Sequence, residues 1–395
     1  MQKKHLVKHA TYNAIMEVLA WSLQKLAAGI FPEARHDGTA FGPGETARKN
    51  LATHCQPVKA LLVEMRADWA ALKQVFQFPQ QNENSGICWL CYATPSNFKD
   101  TSRTATWRQL RRTAVSWHLE LARAGKNCPL WSIPGVSSEI LIIDWLHCAD
   151  LGIAADIMGN VLLELVGLMP GGAAEPKGNQ MKTLWCELQK DYDGLEIPKA
   201  HRFPGLRMNH FMQPKKSPKL RGKAAHIRYF APVLDRCVQR IMLPKDMHTI
   251  AVVNCMHNLA LCYTCLVAFD AAKLDCAARK MATLYCSLEK EQAQAGVQKR
   301  WKVKPKLHLF MELCQCLCLE RQRGNPKSFW TYADESHGGQ MRAIAVRRGG
   351  HNSSASSAYR LLSLFINKTD LIGLCCGEKT KCCFALGLKS IVHLD

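Results

Sequence analysis

The chain has 395 residues, of which 48% are hydrophobic and 21% are charged, and this composition excludes a mainly disordered protein. Lysine and arginine number 52 against 32 acidic residues, which gives a formal net charge of +20. A charge of this sign and size predicts attraction to polyanions, among which nucleic acid is the commonest partner. The alternative is a chain that is basic without such a partner.

The cysteine content indicates the compartment. Nineteen cysteines are present, an odd number, and several lie inside apolar helical segments such as LCYTCLVAF. Secreted disulfide scaffolds are usually short and have even cysteine counts, so we expect free thiols in a reducing environment. The apolar stretch after the basic N-terminal residues carries Glu17, Gln24 and Lys25, which is unlike a secretory signal. These features predict a nuclear or cytoplasmic protein that is not secreted.

The strongest candidate for a membrane span is residues 247–269. This segment contains His248, Asn254, His257 and Asn258, and such polar groups are costly in hydrocarbon. We therefore expect a buried helix there and no membrane partner. No feature of the sequence indicates an oligomeric state.

Apolar residues that recur at intervals of three and four predict a chain that is mostly α-helical. The predicted helices cover residues 11–30, 56–77, 103–124, 150–168, 181–197, 224–241, 245–269, 271–295, 306–320, 340–347 and 355–366. The best strand candidate is the short β-branched run Ile140–Ile143. The segment 224–320 is expected to form a helix bundle without any strand.

Changes of composition divide the chain into four regions. Residues 1–169 carry the strand candidate and several short motifs, and the Pro- and Gly-rich passage from 170 opens a basic linker region that ends at 223. A helical region follows over 224–368. The tail, 369–395, has a different composition and receives no assignment.

A basic segment, residues 201–228, contains eight lysines and arginines, three histidines and no acidic residue. Five of the positive charges fall close together, at Lys215, Lys216, Lys219, Arg221 and Lys223. The prolines and glycines between them argue against tight folding, so we expect these charges to remain available to DNA phosphates. Lysine is a point charge, which favours contact with the backbone over reading of bases. A solvated loop without a partner is the alternative.

Cys88 and Cys91, in GICWLC, have the CxxC spacing that is half of a zinc site. A complete site needs two more ligands. The candidates closest in sequence are His54, Cys55, His118 and Cys128, and none of them forms a second CxxC. A redox motif has less support because no βαβ pattern follows. Two cysteines packed under a loop are the remaining alternative.

Several acidic residues have contexts suited to metal-dependent phosphoryl transfer, which uses two or three carboxylates around paired metal ions. They are Asp37, Asp68, Asp144 with His147 three residues later, Asp334 and Glu335. Each of them could instead be an ordinary capping or surface acid. The chain has no GxSxG, Walker A or GxGxxG motif, so the sequence gives no support to P-loop, Rossmann or α/β-hydrolase functions.

The order of these motifs is distinctive. The segments LLVEMRADWAALK, GICWLC, LIIDWLHCADLG, KPKLHLFMEL and SFWTYADESHGG follow one another along the chain. This order resembles the catalytic region of CACTA-type DNA transposases over roughly residues 13–365. The resemblance implies a partial RNase H-like α/β core within 1–169 that is interrupted by a large all-helical insertion. It also implies DNA as the partner and Mg²⁺ or Mn²⁺ as the cofactor of an active enzyme.

The resemblance further implies roles for individual residues. Asp68 matches the acid before the CxxC, Asp144 and His147 match a DxxH motif, and Glu335 matches the late acid. In the family a basic residue follows that late acid, whereas Ser336 stands here, and the family's catalytic region begins upstream of the first shared motif. We therefore expect an inactive, truncated or decayed transposase copy that still binds DNA. The alternative is a non-enzymatic, basic helical protein that binds nucleic acid or another partner.

Overall fold

The computed structural model describes residues 7–55, 59–78, 86–171, 175–296, 300–336 and 339, and these residues are mostly helical. The α-helices are α1 Lys8–Ala28, α2 Thr46–Leu51, α3 Trp69–Gln74, α4 Thr106–Gln109, α5 Ala114–Arg123, α6 Ala155–Leu168, α7 Lys177–Gly194, α8 Ala224–Ile241, α9 Met247–Val267, α10 Ala271–Gln294 and α11 Lys306–Glu312. The π-helical segment Leu146–Ala154 leads into α6, and the π-helical segment Leu313–Glu320 continues α11. The strands are β1 Met65–Ala67 and β2 Leu141–Ile143. Short 3₁₀ turns lie at Pro43–Glu45, Pro129–Ser132, Ser138–Ile140, Lys199–His201, Met208–His210 and Pro326–Ser328.

The described residues fall into two compact units. The first contains the described residues of 1–78, 113–142 and 331–395, and the second contains those of 79–112 and 143–330. In the first unit α1 buries Ala20 and Leu23 and packs on the 3₁₀ turn at Pro129–Ser132. Gln24 fixes that packing, since its side-chain amide donates to the backbone oxygen of Ser132 over 3.0 Å.

The structure departs from two of the helix predictions. A single helix over 56–77 is wrong, because residues 59–64 have no regular secondary structure and β1 pairs with β2 before the short α3 begins. The predicted helix 103–124 is divided into α4 and α5, since the backbone between them pairs with the CxxC loop through Cys91 and Arg111. In both cases backbone N–H and C=O groups that a continuous helix would use pair instead with a segment distant in sequence. The helices predicted at 340–347 and 355–366 lie outside the described residues.

The strand candidate at Ile140–Ile143 is confirmed as β2, one residue shorter than predicted. Within the described residues the sheet consists of β1 and β2, each three residues long. Such a pair does not by itself make the larger sheet that an RNase H-like core requires. The mostly helical part of the fold prediction is therefore confirmed, and the RNase H-like part is not.

The second unit is a helix bundle, as predicted for 224–320, and no strand occurs among the described residues of that span. Helices α9 and α10 form a hairpin, and each begins at an aspartate cap. Asp246 accepts from the Thr249 backbone N–H over 2.7 Å, and Asp270 accepts from that of Lys273 over 3.0 Å. The apolar residues of α9 that recur at three and four are buried, as at Val252, Met256 and Leu259.

Two helical spans, Leu146–Leu168 and Met247–Val267, are long and apolar enough to cross a membrane. Inside the protein, 72% and 50% of their most apolar windows are buried. Helices in a protein core pass the same test of length and composition, so these spans are weak support for a membrane protein.

The basic segment is packed against α6, contrary to the prediction that it would not fold tightly. Its Leu220 N–H donates to the Ala155 backbone oxygen over 2.8 Å, and Phe211 and Leu220 are buried. At Gly159 the two backbones come so close that a Cβ would lie 2.6 Å from the Lys219 nitrogen. The predicted boundaries at 169/170 and 223/224 accordingly fall inside the second unit, because α6, α7 and α8 pack on one another.

Candidate metal centre

The CxxC motif lies in a tight, buried loop of the second unit. Gly86 opens it with φ of +109°, a conformation that favours glycine, and Ile87 closes it by donating its N–H to the Ala93 oxygen over 2.9 Å. The backbone N–H of Leu90 points at the Cys88 sulfur over 3.3 Å. Backbone donors of this kind stabilise a thiolate, so the loop is arranged to hold charged sulfur.

Helix α11 brings two further ligand groups to these sulfurs. His308 and Glu312 are one turn apart on α11, so their side chains share a face. The ligand atoms of Cys88, Cys91, His308 and Glu312 all lie within 4.8 Å of one another, and all four residues are buried. The Cys91 sulfur is 3.3 Å from Nε2 of His308, which is 3.6 Å from Oε1 of Glu312.

The separations of 3.3 Å between Cys91 and His308 and of 3.6 Å between His308 and Glu312 fit a tetrahedral ion. Ligand atoms about 2.0–2.3 Å from a shared zinc ion lie about 3.3–3.8 Å apart at tetrahedral angles. Burial disfavours the Cys88 thiolate, but hydrogen bonds from Cys91 and His308 outweigh it and lower the pKa of Cys88 to about 6. The coupled Cys91 thiol shifts the other way, because burial and the neighbouring Cys88 raise its pKa, so without a bound ion the pair carries one thiolate. The donor set of two sulfurs, one imidazole and one carboxylate is typical of zinc ligands.

Neighbouring side chains hold the four candidates in place. Arg111 donates to both carboxylate oxygens of Glu312, each over 2.8 Å. Arg112 donates through Nε to the Cys91 backbone oxygen over 2.9 Å. The ring of Trp107 packs edge-on against His308 with centroids 4.5 Å apart, while Nδ1 of His308 has no hydrogen-bond partner among the described residues. Packing against Trp107 therefore orients the imidazole.

The sequence identified half of this cluster. The structure brings Cys88 and Cys91 together, as a shared zinc site requires, within the 4.8 Å limit. The ligand candidates near them in sequence, His54, Cys55, His118 and Cys128, are not members of this group. His308 and Glu312 were missed as ligands, although His308 belongs to the PKLH segment. The H-x-x-x-E spacing on a helix is the signal that could have found the pair.

The DxxH pair is also brought together in the second unit. Asp144 follows β2 and is buried, and its Oδ2 accepts from the His147 backbone N–H over 2.9 Å. The same oxygen lies 2.6 Å from Nδ1 of His147. Lys306 donates through Nζ to the His147 backbone oxygen over 2.7 Å. Asp144 thus acts as a cap for the helical segment that follows it.

The other predicted acids belong to the first unit and have local roles. Asp68 caps α3, accepting from the Ala71 N–H over 2.7 Å. Asp37 accepts from Thr39 in a turn, and hydrogen bonds from the Thr39 side chain and backbone lower its pKa. Glu335 and Asp334 are exposed on a short helical stretch. Among the described residues, the Cys/His/Glu cluster is the one group of three or more potential metal ligands.

Four of the five predicted phosphate contacts are exposed, namely Lys215, Lys216, Arg221 and Lys223. Lys219 is the exception. Its Nζ donates to the Leu151 backbone oxygen over 2.7 Å and lies 4.0 Å from Oδ1 of Asp156. Burial and the nearby Lys304 and Lys306 outweigh the attraction of Asp156 and lower the pKa of Lys219. We therefore assign Lys219 to anchoring the basic segment.

Comparison with known proteins adds no relative. No protein family, no curated protein and no solved structure matches the chain. The resemblance to CACTA-type transposases consequently stays a prediction from the order of the motifs.

Proposed function

We propose that this protein binds DNA and that one zinc ion links the CxxC loop to α11 in its second unit. The observation that carries the proposal is the convergence of Cys88, Cys91, His308 and Glu312, two buried pairs separated by more than two hundred residues. Four protein ligands would close the coordination sphere of zinc. A closed sphere is typical of structural sites, because catalytic zinc keeps a position open for water or substrate.

The charges around the cluster balance for zinc. Two thiolates and one carboxylate carry three negative charges, a zinc ion carries two positive charges, and a neutral imidazole adds none. The remaining negative charge is matched by Arg111, whose guanidinium contacts both oxygens of Glu312. A buried site that is neutral overall avoids the large cost of an uncompensated charge.

DNA binding is supported by the net charge of +20 and by the four exposed cations of the basic segment. Phe211 and Leu220 of the same segment are buried, so the backbone that bears these cations is held against the protein. Less conformational entropy is then lost on binding than for a free loop. We propose contacts to phosphates without reading of base sequence.

Descent from a transposase accounts for the motif order, since the proposed zinc ligands come from its CxxC and PKLH segments. We propose that binding, and not strand cutting, is what the chain retains. Asp144 and Asp68 both serve as helix caps, a role that needs no metal. Cutting dependent on Mg²⁺ or Mn²⁺ by the purified protein would overturn this part of the proposal.

Metal analysis tests the zinc site directly. Protein purified without added metal is expected to contain one zinc ion per chain by elemental mass spectrometry. Cys91→Ser should lose this zinc, because serine is a poor zinc ligand. The control is Cys186→Ser, which changes an exposed cysteine on α7 and should keep the full metal content. Zinc-free parent protein, or equal zinc in both variants, would contradict the proposal.

Salt-dependent binding tests the DNA contact. Replacing Lys215, Lys216, Arg221 and Lys223 together with glutamine should weaken duplex binding about equally for different sequences. The slope of log affinity against log salt should flatten by roughly 0.9 for each phosphate that the variant no longer neutralises. Fluorescence anisotropy at several salt concentrations measures both quantities.

A matched control removes the same charge elsewhere in the second unit. Its four substitutions to glutamine fall on exposed lysines, at Lys182, Lys245, Lys280 and Lys290. This control should retain most of the parent's affinity and its salt slope. If the two fourfold variants lose affinity to the same extent, the basic segment is not the DNA contact.

A further inference from the structure

An open cavity of about 490 Å³ lies beside the basic segment and is bounded by residues 212–216, Pro218 and Arg300. Three cationic side chains line it, from Lys215, Lys216 and Arg300, and no acidic residue does. Its volume falls in the range of sites that hold a small ligand. Cations from two segments far apart in sequence thus face one space of about nucleotide size.

Arg300 forms part of the cavity wall and already has an anionic partner. Its guanidinium pairs with Glu164, and the same carboxylate oxygen lies 3.3 Å from both His248 Nε2 and Trp301 Nε1. One carboxylate oxygen is therefore shared among three donors. The Arg300 side chain is 22% exposed, so part of its guanidinium remains accessible to an anionic ligand in addition to Glu164.

The backbone of one residue that lines the cavity is also unusual. Lys215 has φ of +60°, in the left-handed region that non-glycine residues rarely adopt. Strained residues of this kind cluster at binding sites. The remaining walls come from Met212, Pro214 and Pro218, whose apolar surfaces suit the face of a base.

We propose that this cavity binds one unpaired nucleotide of a DNA strand. Its phosphate contacts Lys215, Lys216 and Arg300, and its base lies against the apolar walls beside the Gln213 amide. The inference rests on the DNA binding proposed above, because the exposed Arg221 and Lys223 on the same segment would hold the adjoining duplex. A free nucleotide offers the same chemistry, and the experiment separates the two sources.

The test compares two fluorescent probes on the full-length protein, a blunt duplex and the same duplex with a short single-stranded overhang. The overhang probe should bind roughly tenfold more tightly, the effect of one charge-assisted contact. In Lys215→Gln/Lys216→Gln this ratio should fall to one. In the matched control, Arg221→Gln/Lys223→Gln, both probes should weaken together and the ratio should persist.

Each outcome decides a different point. Equal affinity of the parent for both probes would overturn the nucleotide site and leave the DNA-binding proposal standing. Failure to bind either probe would overturn the DNA-binding proposal. Deoxyadenosine monophosphate, added alone, separates the sources. Suppose that the nucleotide binds only when Lys215 and Lys216 are present, while the overhang probe binds no more tightly than the blunt duplex. In that case the cavity binds free nucleotides and the proposed strand contact is wrong.

Discussion

Removing zinc with a chelator is expected to destabilise the second unit by about 4 kcal/mol, the gain when free zinc exceeds its dissociation constant about 1,000-fold. The physical reason is that the ion joins the CxxC loop to α11, two segments that meet only in the folded state. Metal binding free energy is then folding free energy. Urea unfolding followed by circular dichroism, with and without EDTA, measures the difference.

Variants make this prediction specific to the cluster. In Cys91→Ser the midpoint of unfolding should already be low, and EDTA should lower it no further. The exposed-cysteine control, Cys186→Ser, should remain as sensitive to EDTA as the parent protein. A parent protein whose unfolding is indifferent to EDTA would show that the four side chains hold together without metal.

A second large effect is expected from Gly159→Ala on α6. The added Cβ would lie 2.6 Å from the backbone nitrogen of Lys219 and 2.8 Å from that of Leu220. Backbone atoms cannot turn away as a flexible side chain can, so the basic segment must shift. We expect about 2 kcal/mol of destabilisation, the overpacking cost reduced by the better helix propensity of alanine. The midpoint temperature of thermal unfolding and the affinity for DNA should both decrease, because the displaced segment carries the proposed phosphate contacts.

The control lies on the same helix. Gly167 is exposed, and a Cβ there would meet nothing within 4 Å. Gly167→Ala should therefore stabilise the protein by up to about 1 kcal/mol, the propensity difference alone. If Gly159→Ala behaves like Gly167→Ala, the basic segment does not depend on close packing against α6.

The sequence by itself determined the helical character of the chain. The three- and four-residue spacing of apolar side chains predicted α8 at its observed bounds, α9 and α10 to within two residues at each end, and α11 together with its π-helical continuation. It also located β2 and singled out Cys88 and Cys91. These features are local, since they depend on which face of one segment is apolar or on a spacing of three residues, and a local pattern is visible in sequence.

Only the tertiary structure decided which segments meet. His308 lies 217 residues from Cys91, and no local pattern links them. The segment of β1 was predicted to be helical from its local pattern, and only its pairing with β2 makes it a strand. Lys219 was predicted to be an available charge, and only the structure shows that it donates to the Leu151 backbone oxygen, just before α6. Periodicity states which face of an element must be buried. It does not state against which other element, because that choice depends on how all the buried surfaces fit together.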